Sequence, residues 1–349
     1  MPLPELFTNR PEPVAAPALA ALAAHFRIEG TFETLPSERD QNVLITTRNG
    51  ERFLLKIKNP ADPPEMARFE TEVLLRLEAA FPGLAVPRII RAASGDTILS
   101  THTLEGYRSV RLFSYIDGVP VAGVTASPPL RMSIGDTLGQ LNRALASLDL
   151  RPPQRSIPWD FAQFVTLKPL ADHCVDGELR NQALRLFERW EHSGFVHGSH
   201  PPIAGRLPQL LHNDFNPHNL LAKSPETNRV CAVIDFGDMA SGPAIYDLAI
   251  ASAYWLGEQE PLEAITQVCE GYHRHQPLTL EDIAALPLLM EVRLLATVLI
   301  TRWRAQRTPQ NRAYILRNEP NALAGLSTLA SLPDGAVGGH LQRRLRIGS

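Results

Sequence analysis

Leu210-Leu211-His212-Asn213-Asp214-Phe215-Asn216-Pro217-His218-Asn219-Leu220-Leu221 and, shortly after, Val230-Cys231-Ala232-Val233-Ile234-Asp235-Phe236-Gly237-Asp238 hold the densest chemistry in the chain. Two short loops, each flanked by apolar runs of strand length, carry two carboxylates and an amide. Phosphoryl transfer needs this equipment: one group to orient and deprotonate an attacking hydroxyl, and oxygen ligands to hold Mg²⁺ against nucleotide phosphates. Asp214 suits the first role, and Asn219 and Asp235 suit the second. The Asn216-Pro217 turn puts Asp214 and Asn219 on one loop, while the apolar run 230–234 delivers Asp235 from a buried strand. A lone HxDxxxxN pattern recurs by chance. Its pairing with a hydrophobic strand that ends in Asp-Phe-Gly makes the functional reading the better one.

These loops resemble the catalytic and metal loops of the protein-kinase-like superfamily, in particular the aminoglycoside phosphotransferase type of small-molecule kinase. His212-Asn213-Asp214 stands where protein kinases carry His-Arg-Asp. Asp235-Phe-Gly-Asp238, followed by Gly242-Pro-Ala-Ile-Tyr-Asp247-Leu-Ala-Ile-Ala, is similar to one branch, hydroxylysine kinase and the kinase domains fused to class III aminotransferases. The resemblance implies an α+β, two-lobed fold, with an antiparallel N-terminal sheet of about five strands crossed by one helix and a larger, mainly helical C-terminal lobe. It also implies ATP or GTP as phosphoryl donor and Mg²⁺ as cofactor. Residues 1–115 form the expected N-lobe, 116–121 the hinge and 122–349 the C-lobe.

Upstream, Pro13–Phe26 reads as a short helix behind a Pro-rich arm. Arg27–Leu35, Asn42–Thr47 and Arg52–Lys58 read as strands, with Asn49-Gly50 a hairpin turn between the last two. The polar segment Leu35-Pro-Ser37-Glu38-Arg39-Asp40-Gln41-Asn42 lies where this superfamily covers the nucleotide phosphates. It has no GxGxxG, and its wording is that of the hydroxylysine-kinase-like branch. Ser37 and Asn42 are its candidate nucleotide contacts, against the alternative of a plain polar hairpin loop.

Lys56 sits among apolar neighbours in Leu-Leu-Lys-Ile, an unfavourable place unless the ammonium has anionic partners. The resemblance makes it the lysine that contacts the α/β-phosphates and pairs with a helix glutamate; Lys58 competes for that role. The next helix, Glu65–Ala80, with Asp62 as its expected N-cap, offers Glu70, and alternatively Glu72, as the partner of Lys56. After strands at Asp96–Thr103 and Ser109–Tyr115, the chain runs into Tyr115-Ile116-Asp117-Gly118-Val119-Pro120. There Ile116 falls where a kinase-type hinge binds the nucleobase through backbone groups.

Beyond Ser127 the period is helical: Ser127–Leu148, Trp159–Pro169, Gly177–Glu191, Ala244–Leu256, Leu262–His275, Leu280–Arg304 and Gln310–Ala330. In the resemblance His212 and Asp247 brace the catalytic loop rather than react, and Asp238 is either a further metal ligand or a brace. The histidines at 192, 197, 200, 212 and 218 fit no ligand spacing, and the Gly-, Pro- and Ser-rich stretch 193–205 reads as a loop near the site. Glu291 and Arg293 interrupt an apolar helix and are candidates to grip the amine and carboxylate of an acceptor.

A net charge of −3 offers no case for nucleic acid or an anionic membrane surface. Three widely spaced cysteines suggest buried thiols in a reducing compartment, and the Ala-rich run near residue 20 is too short to span a bilayer, so a cytoplasmic protein is expected. The expected activity is phosphorylation of a hydroxyl on a small, amino-bearing acceptor, hydroxylysine by branch. An aminoglycoside, homoserine, choline or ethanolamine is the alternative, as is a non-catalytic nucleotide-binding pseudokinase. Oligomeric state is not legible.

Overall fold

The computed structural model describes residues 11–37, 39–173, 177–193, 195 and 207–347. Residues 1–10 of the expected arm, Cys174 and most of the stretch 193–205, with His197 and His200, lie outside these. The chain forms two compact units, one from the described residues up to Gly118 together with Ala232–Gly237, the other from the described residues of Val119–Cys231 and from Asp238 onward.

In the first unit, helix α1 (Ala16–Ala24) precedes strands β1 (Gly30–Leu35), β2 (Gln41–Thr47) and β3 (Arg52–Ile57). Helix α2 (Pro64–Ala80) follows, and then β4 (Ile89–Ile90), β5 (Leu99–Thr103) and β6 (Gly106–Ser114). The sheet is antiparallel in the order β1-β2-β3-β6-β4, with β5 also paired to β6. The expected Asn49-Gly50 turn links β2 and β3, and Gly50 takes φ +86°, a left-handed conformation that a side chain disfavours. Leu19, Leu22 and Phe26, at and just beyond α1, share one buried cluster with Val43, Ile45, Leu55, Ile57, Val110 and Leu112 of the strands.

Asp62 does not cap α2, because its carboxylate is taken by Lys58 at 2.5 Å. The N-cap position falls on Pro63 and makes no side-chain bond. The Lys58 side chain is 5% exposed, and Asp62 is the nearest of the three carboxylates that balance it, ahead of Asp40 at 3.5 Å and Glu70 at 3.9 Å.

The second unit runs through β7 (Val119–Pro120), α3 (Pro128–Ala146), α4 (Gly177–His192), β8 (Gln209–Leu211), β9 (Leu220–Ala222), the start of β10 (Val230–Val233), whose last two residues belong to the first unit, and β11 (Ala240–Gly242). It continues with α5 (Ile245–Ala253), α6 (Pro261–His273), α7 (Leu280–Arg307), α8 (Arg312–Ile315), α9 (Glu319–Ser331) and α10 (Ala336–Leu345). Two expected helices differ. The segment beginning at Trp159 forms 3-10 turns over Phe161–His173, with Pro169 inside them. The helix expected over Gln310–Ala330 is split into α8 and α9, because Pro320 has no N–H to donate and fits only the first turn of a new helix.

Helices α3 and α6 approach to backbone contact. A Cβ on Gly135 would lie 1.8 Å from the Val268 carbonyl oxygen, and one on Gly271 would lie 2.0 Å from that of Met132. Helix α7 starts with a reciprocal Thr279/Asp282 capping box. Among the described residues it is the one helix long and apolar enough to cross a membrane, yet 67% of its most apolar window is buried inside the protein. Cys269 is buried against Ser252, and burial pushes its thiol up to about 12.

Candidate active site

In the first unit, Lys56 Nζ donates to Asp235 Oδ1 at 2.9 Å and lies 3.6 Å from Asp40 Oδ2. Burial disfavours the ammonium, but Asp235, Glu70 and Asp40 together outweigh it and raise its pKa. Asp235 is shifted the opposite way, chiefly by Lys56. Asp235 leaves its strand at φ +62°, in the left-handed region, and its side chain is 42% exposed. Next to it, a Cβ on Gly237 would stand 3.2 Å from Asp235 Oδ1, 3.6 Å from Lys56 Nζ and 3.9 Å from Arg39 Nη2. Glycine keeps these charged groups clear of a neighbouring side chain.

The expected Lys56–Glu70 ion pair is not what forms. Arg111 Nη2 takes Glu70 Oε2 at 2.7 Å, and Lys58 Nζ stands 3.9 Å from the same oxygen. Glu70 therefore adds to the field at Lys56 without being its contact partner. Glu72 faces solvent, bonded to Arg76 at 2.6 Å. Asp40 was no candidate in the sequence, yet its buried carboxylate accepts from Asn59 N at 2.9 Å and lies between Lys56 and Lys58. Arg111 was missed too, although a cation inside the apolar run Ser-Val-Arg-Leu-Phe is the signal that singled out Lys56. Asn42, paired in register with Lys56, keeps a buried Oδ1 with no partner. Ser37 and Ile116 are half-buried, in the β1–β2 connection and after β6 respectively.

In the second unit, β8 pairs with β11 and leads straight into the loop 212–219. Asp247 of α5 holds that loop from beneath: Oδ2 accepts from His212 N at 3.0 Å and Oδ1 from Asn213 N at 2.8 Å. Its burial pushes its pKa up to about 6, partly offset by His212 and these two N–H bonds. Asn213 takes φ +63°, tolerated by an Asn. His212 is buried, and its Nδ1 accepts from Asp214 N at 3.3 Å. That contact ties the ring to the main chain of the loop.

The Asp214 carboxylate is held on both oxygens. Oδ1 accepts from Asn216 Nδ2 at 2.9 Å and from Arg293 Nη2 at 2.7 Å, while Oδ2 accepts from Asn219 Nδ2 at 2.8 Å. Asn219 Nδ2 also donates to the Asp214 carbonyl at 2.9 Å. Because the amide nitrogen of Asn219 is committed to Asp214, its oxygen faces away from that residue.

Arg293 thus reaches Asp214, and it also donates to the Trp159 carbonyl at 3.4 Å and to the Tyr254 hydroxyl. Glu291 does not join it: its carboxylate is held by Arg189 of α4 at 2.7 Å, a surface pair one helical face away. Asp238 is buried, with Arg155 Nη2 3.4 Å from its Oδ1.

A family model described as the phosphotransferase enzyme family matches residues 31–286. The chain belongs to the phosphotransferase enzyme family. This phosphotransferase is 26% identical over 313 residues to hydroxylysine kinase of Danio rerio, covering 85% of this chain and 86% of that one. It is 24% identical over 289 residues to homoserine kinase of Paramagnetospirillum magneticum, covering 80% and 82%. Among solved structures, a microcompartment-associated aminopropanol kinase aligns with a TM-score of 0.66 at 16% identity, over 95% of this chain and 100% of that one. An amicoumacin kinase in complex with AMP-PNP and Ca²⁺ aligns with 0.64 at 14%, over 88% and 93%. The fold is protein-kinase-like, and the protein is a small-molecule kinase with an alcohol group as acceptor, hydroxylysine-kinase-like in sequence.

Proposed function

We propose that this kinase transfers the γ-phosphoryl group of ATP or GTP to the hydroxyl of a small, amino-bearing acceptor in the cytoplasm, hydroxylysine being the preferred acceptor. Asp214 takes the hydroxyl proton. The bracing of Asp214 carries this reading: His212, Asn216, Asn219 and Arg293 fix its main chain and both carboxylate oxygens. A base held that firmly presents its proton acceptor in one orientation.

Lys56 contacts the donor phosphates. Ser37 and Asn42 lie on the same nucleotide side, Glu70 supports Lys56 through its field, and Ile116 belongs to a hinge over 116–121 that binds the nucleobase through main-chain groups. Asn219 and Asp235 would hold Mg²⁺. Their donor set fits a hard cation, since the Asn219 amide turns its oxygen away from Asp214 and the Asp235 carboxylate is 42% exposed. When bound, the metal neutralises phosphate charge. Homoserine is the second reading, favoured by the homoserine kinases among the relatives.

Nucleotide consumption with a panel of hydroxy-amines and hydroxy amino acids, in wild type and Asp214→Asn, tests the proposal. Loss of a positioned base predicts a fall of roughly 10²–10⁴-fold. Equal rates in both proteins with every acceptor would leave a nucleotide-binding pseudokinase instead.

A further inference from the structure

Arg293 has five N–H groups, and three acceptors meet them: the Asp214 carboxylate at 2.7 Å from Nη2, the Trp159 carbonyl at a long 3.4 Å from Nη1, and the Tyr254 hydroxyl. Its Nε is buried and has no partner. A guanidinium whose side chain is 5% exposed normally fills its fork, and the geometry that completes such a fork is a carboxylate or phosphate. Asp214 occupies only one nitrogen, so part of the donor set next to the proposed base is left for a second anion.

The surroundings favour an anion there. Arg317, stacked on Tyr314 at 3.9 Å, places a second positive charge within range of Tyr254. His218, on the catalytic loop, is tied to Asn318 at 2.8 Å, which brings amides rather than carboxylates to that side. Glu291, the acidic neighbour of Arg293 on α7, is occupied by Arg189. Positive charge around the base would repel a polycation and attract a carboxylate.

We infer that Arg293 is the specificity-determining residue of this kinase, selecting hydroxy amino acids by their carboxylate while it stays bonded to Asp214. The inference rests on the proposed role of Asp214. It goes beyond it by separating carboxylate-bearing acceptors from amino alcohols and aminoglycosides, which carry none. One residue would then couple recognition to chemistry: an acceptor held by Arg293 is held at a fixed place relative to the base that Arg293 also orients.

The test measures kcat/KM with ATP on two matched pairs. The first is 5-hydroxylysine against the hydroxydiamine left by its decarboxylation, and the second is homoserine against 3-aminopropan-1-ol. Wild type should favour the carboxylate-bearing member by roughly a hundredfold, because a site built to bond a group leaves polar atoms unpaired when that group is missing. Arg293→Met should bring the ratio close to one, and Arg293→Lys, with charge but no fork, should keep part of it. A fall of equal size on both members in Arg293→Met overturns the inference, since Arg293 would then only orient Asp214. A wild-type preference for the carboxyl-free members also overturns it.

AMP-PNP affinity reports whether each variant is folded. If Arg293→Met does not fold, calorimetric titration of wild type with both members of a pair in the presence of AMP-PNP decides the matter. Tighter binding of the carboxylate supports the inference, and equal or weaker binding overturns it. Failure of the kinase reading shows separately, as nucleotide consumption that Asp214→Asn leaves unchanged.

Discussion

Arg111 donates to Glu70 across 2.7 Å, with side chains 0% and 4% exposed. The α2 glutamate that the family pattern assigns to Lys56 is therefore neutralised by another strand cation. Arg111→Met would leave a buried carboxylate with Lys58 at 3.9 Å as its nearest remaining ion-pair partner. Removing one member of such a pair costs about 3–5 kcal/mol. Urea denaturation should show that loss, and the double variant with Glu70→Gln should recover part of it. A single variant as stable as wild type would show that Lys58 alone suffices.

Lys56 is held by Asp235 at 2.9 Å and Asp40 at 3.6 Å. Lys56→Met should raise the KM for ATP by about tenfold or more, and Asp40→Asn by a smaller factor. Steady-state kinetics with the acceptor saturating checks both. An unchanged KM in Lys56→Met would remove the lysine from the phosphate site.

Asp247 gives a pH dependence whose sign follows from its burial. Its pKa lies at about 6 in the folded protein against 3.8 ordinarily, so between these values the folded chain binds the proton that the unfolded chain has released. This contribution to stability is fully present below pH 4 and is lost as pH rises through 6. A displacement of about two pH units is worth roughly 3 kcal/mol. The stability of wild type minus that of Asp247→Asn should decline by about this amount from pH 4 to 7. Parallel stability curves across that range would contradict the assignment.

Gly271→Ala should disrupt the contact between α3 and α6, because the added methyl would sit 2.0 Å from the Met132 carbonyl oxygen. Backbone cannot rotate away as a side chain can, so the loss should reach or exceed the roughly 1–3 kcal/mol typical of overpacking. Thermal unfolding gives the measurement; a Tm within a degree of wild type would mean that the helices separate at little cost.

What could be read from the sequence were features carried by neighbours along the chain. The loop from His212 to Asn219 and the strand ending at Asp235 contain their own turn and flanking hydrophobic runs, so they named the reaction and the family. Lys56 stood out as a cation inside an apolar strand, and the Asn49-Gly50 turn fixed a hairpin. Helical periodicity exposed a candidate glutamate on α2 but could not say which cation it would meet.

Partnership was decided by the tertiary structure. Arg293 and Asp214 are 79 residues apart, and Arg111 and Glu70 are 41 apart. Each charge, once buried, must take whichever opposite charge the packing places within a few ångströms, since an unpaired charge in a low-dielectric interior is prohibitively costly. That same demand drew Asp62 from a helix cap to Lys58. Local patterns in the sequence were therefore enough for the reaction class and the family. The pairing of Arg293 with Asp214, Asp40 with Lys56 and Arg111 with Glu70 came from the fold, because ion pairing depends on proximity in space that no local pattern encodes.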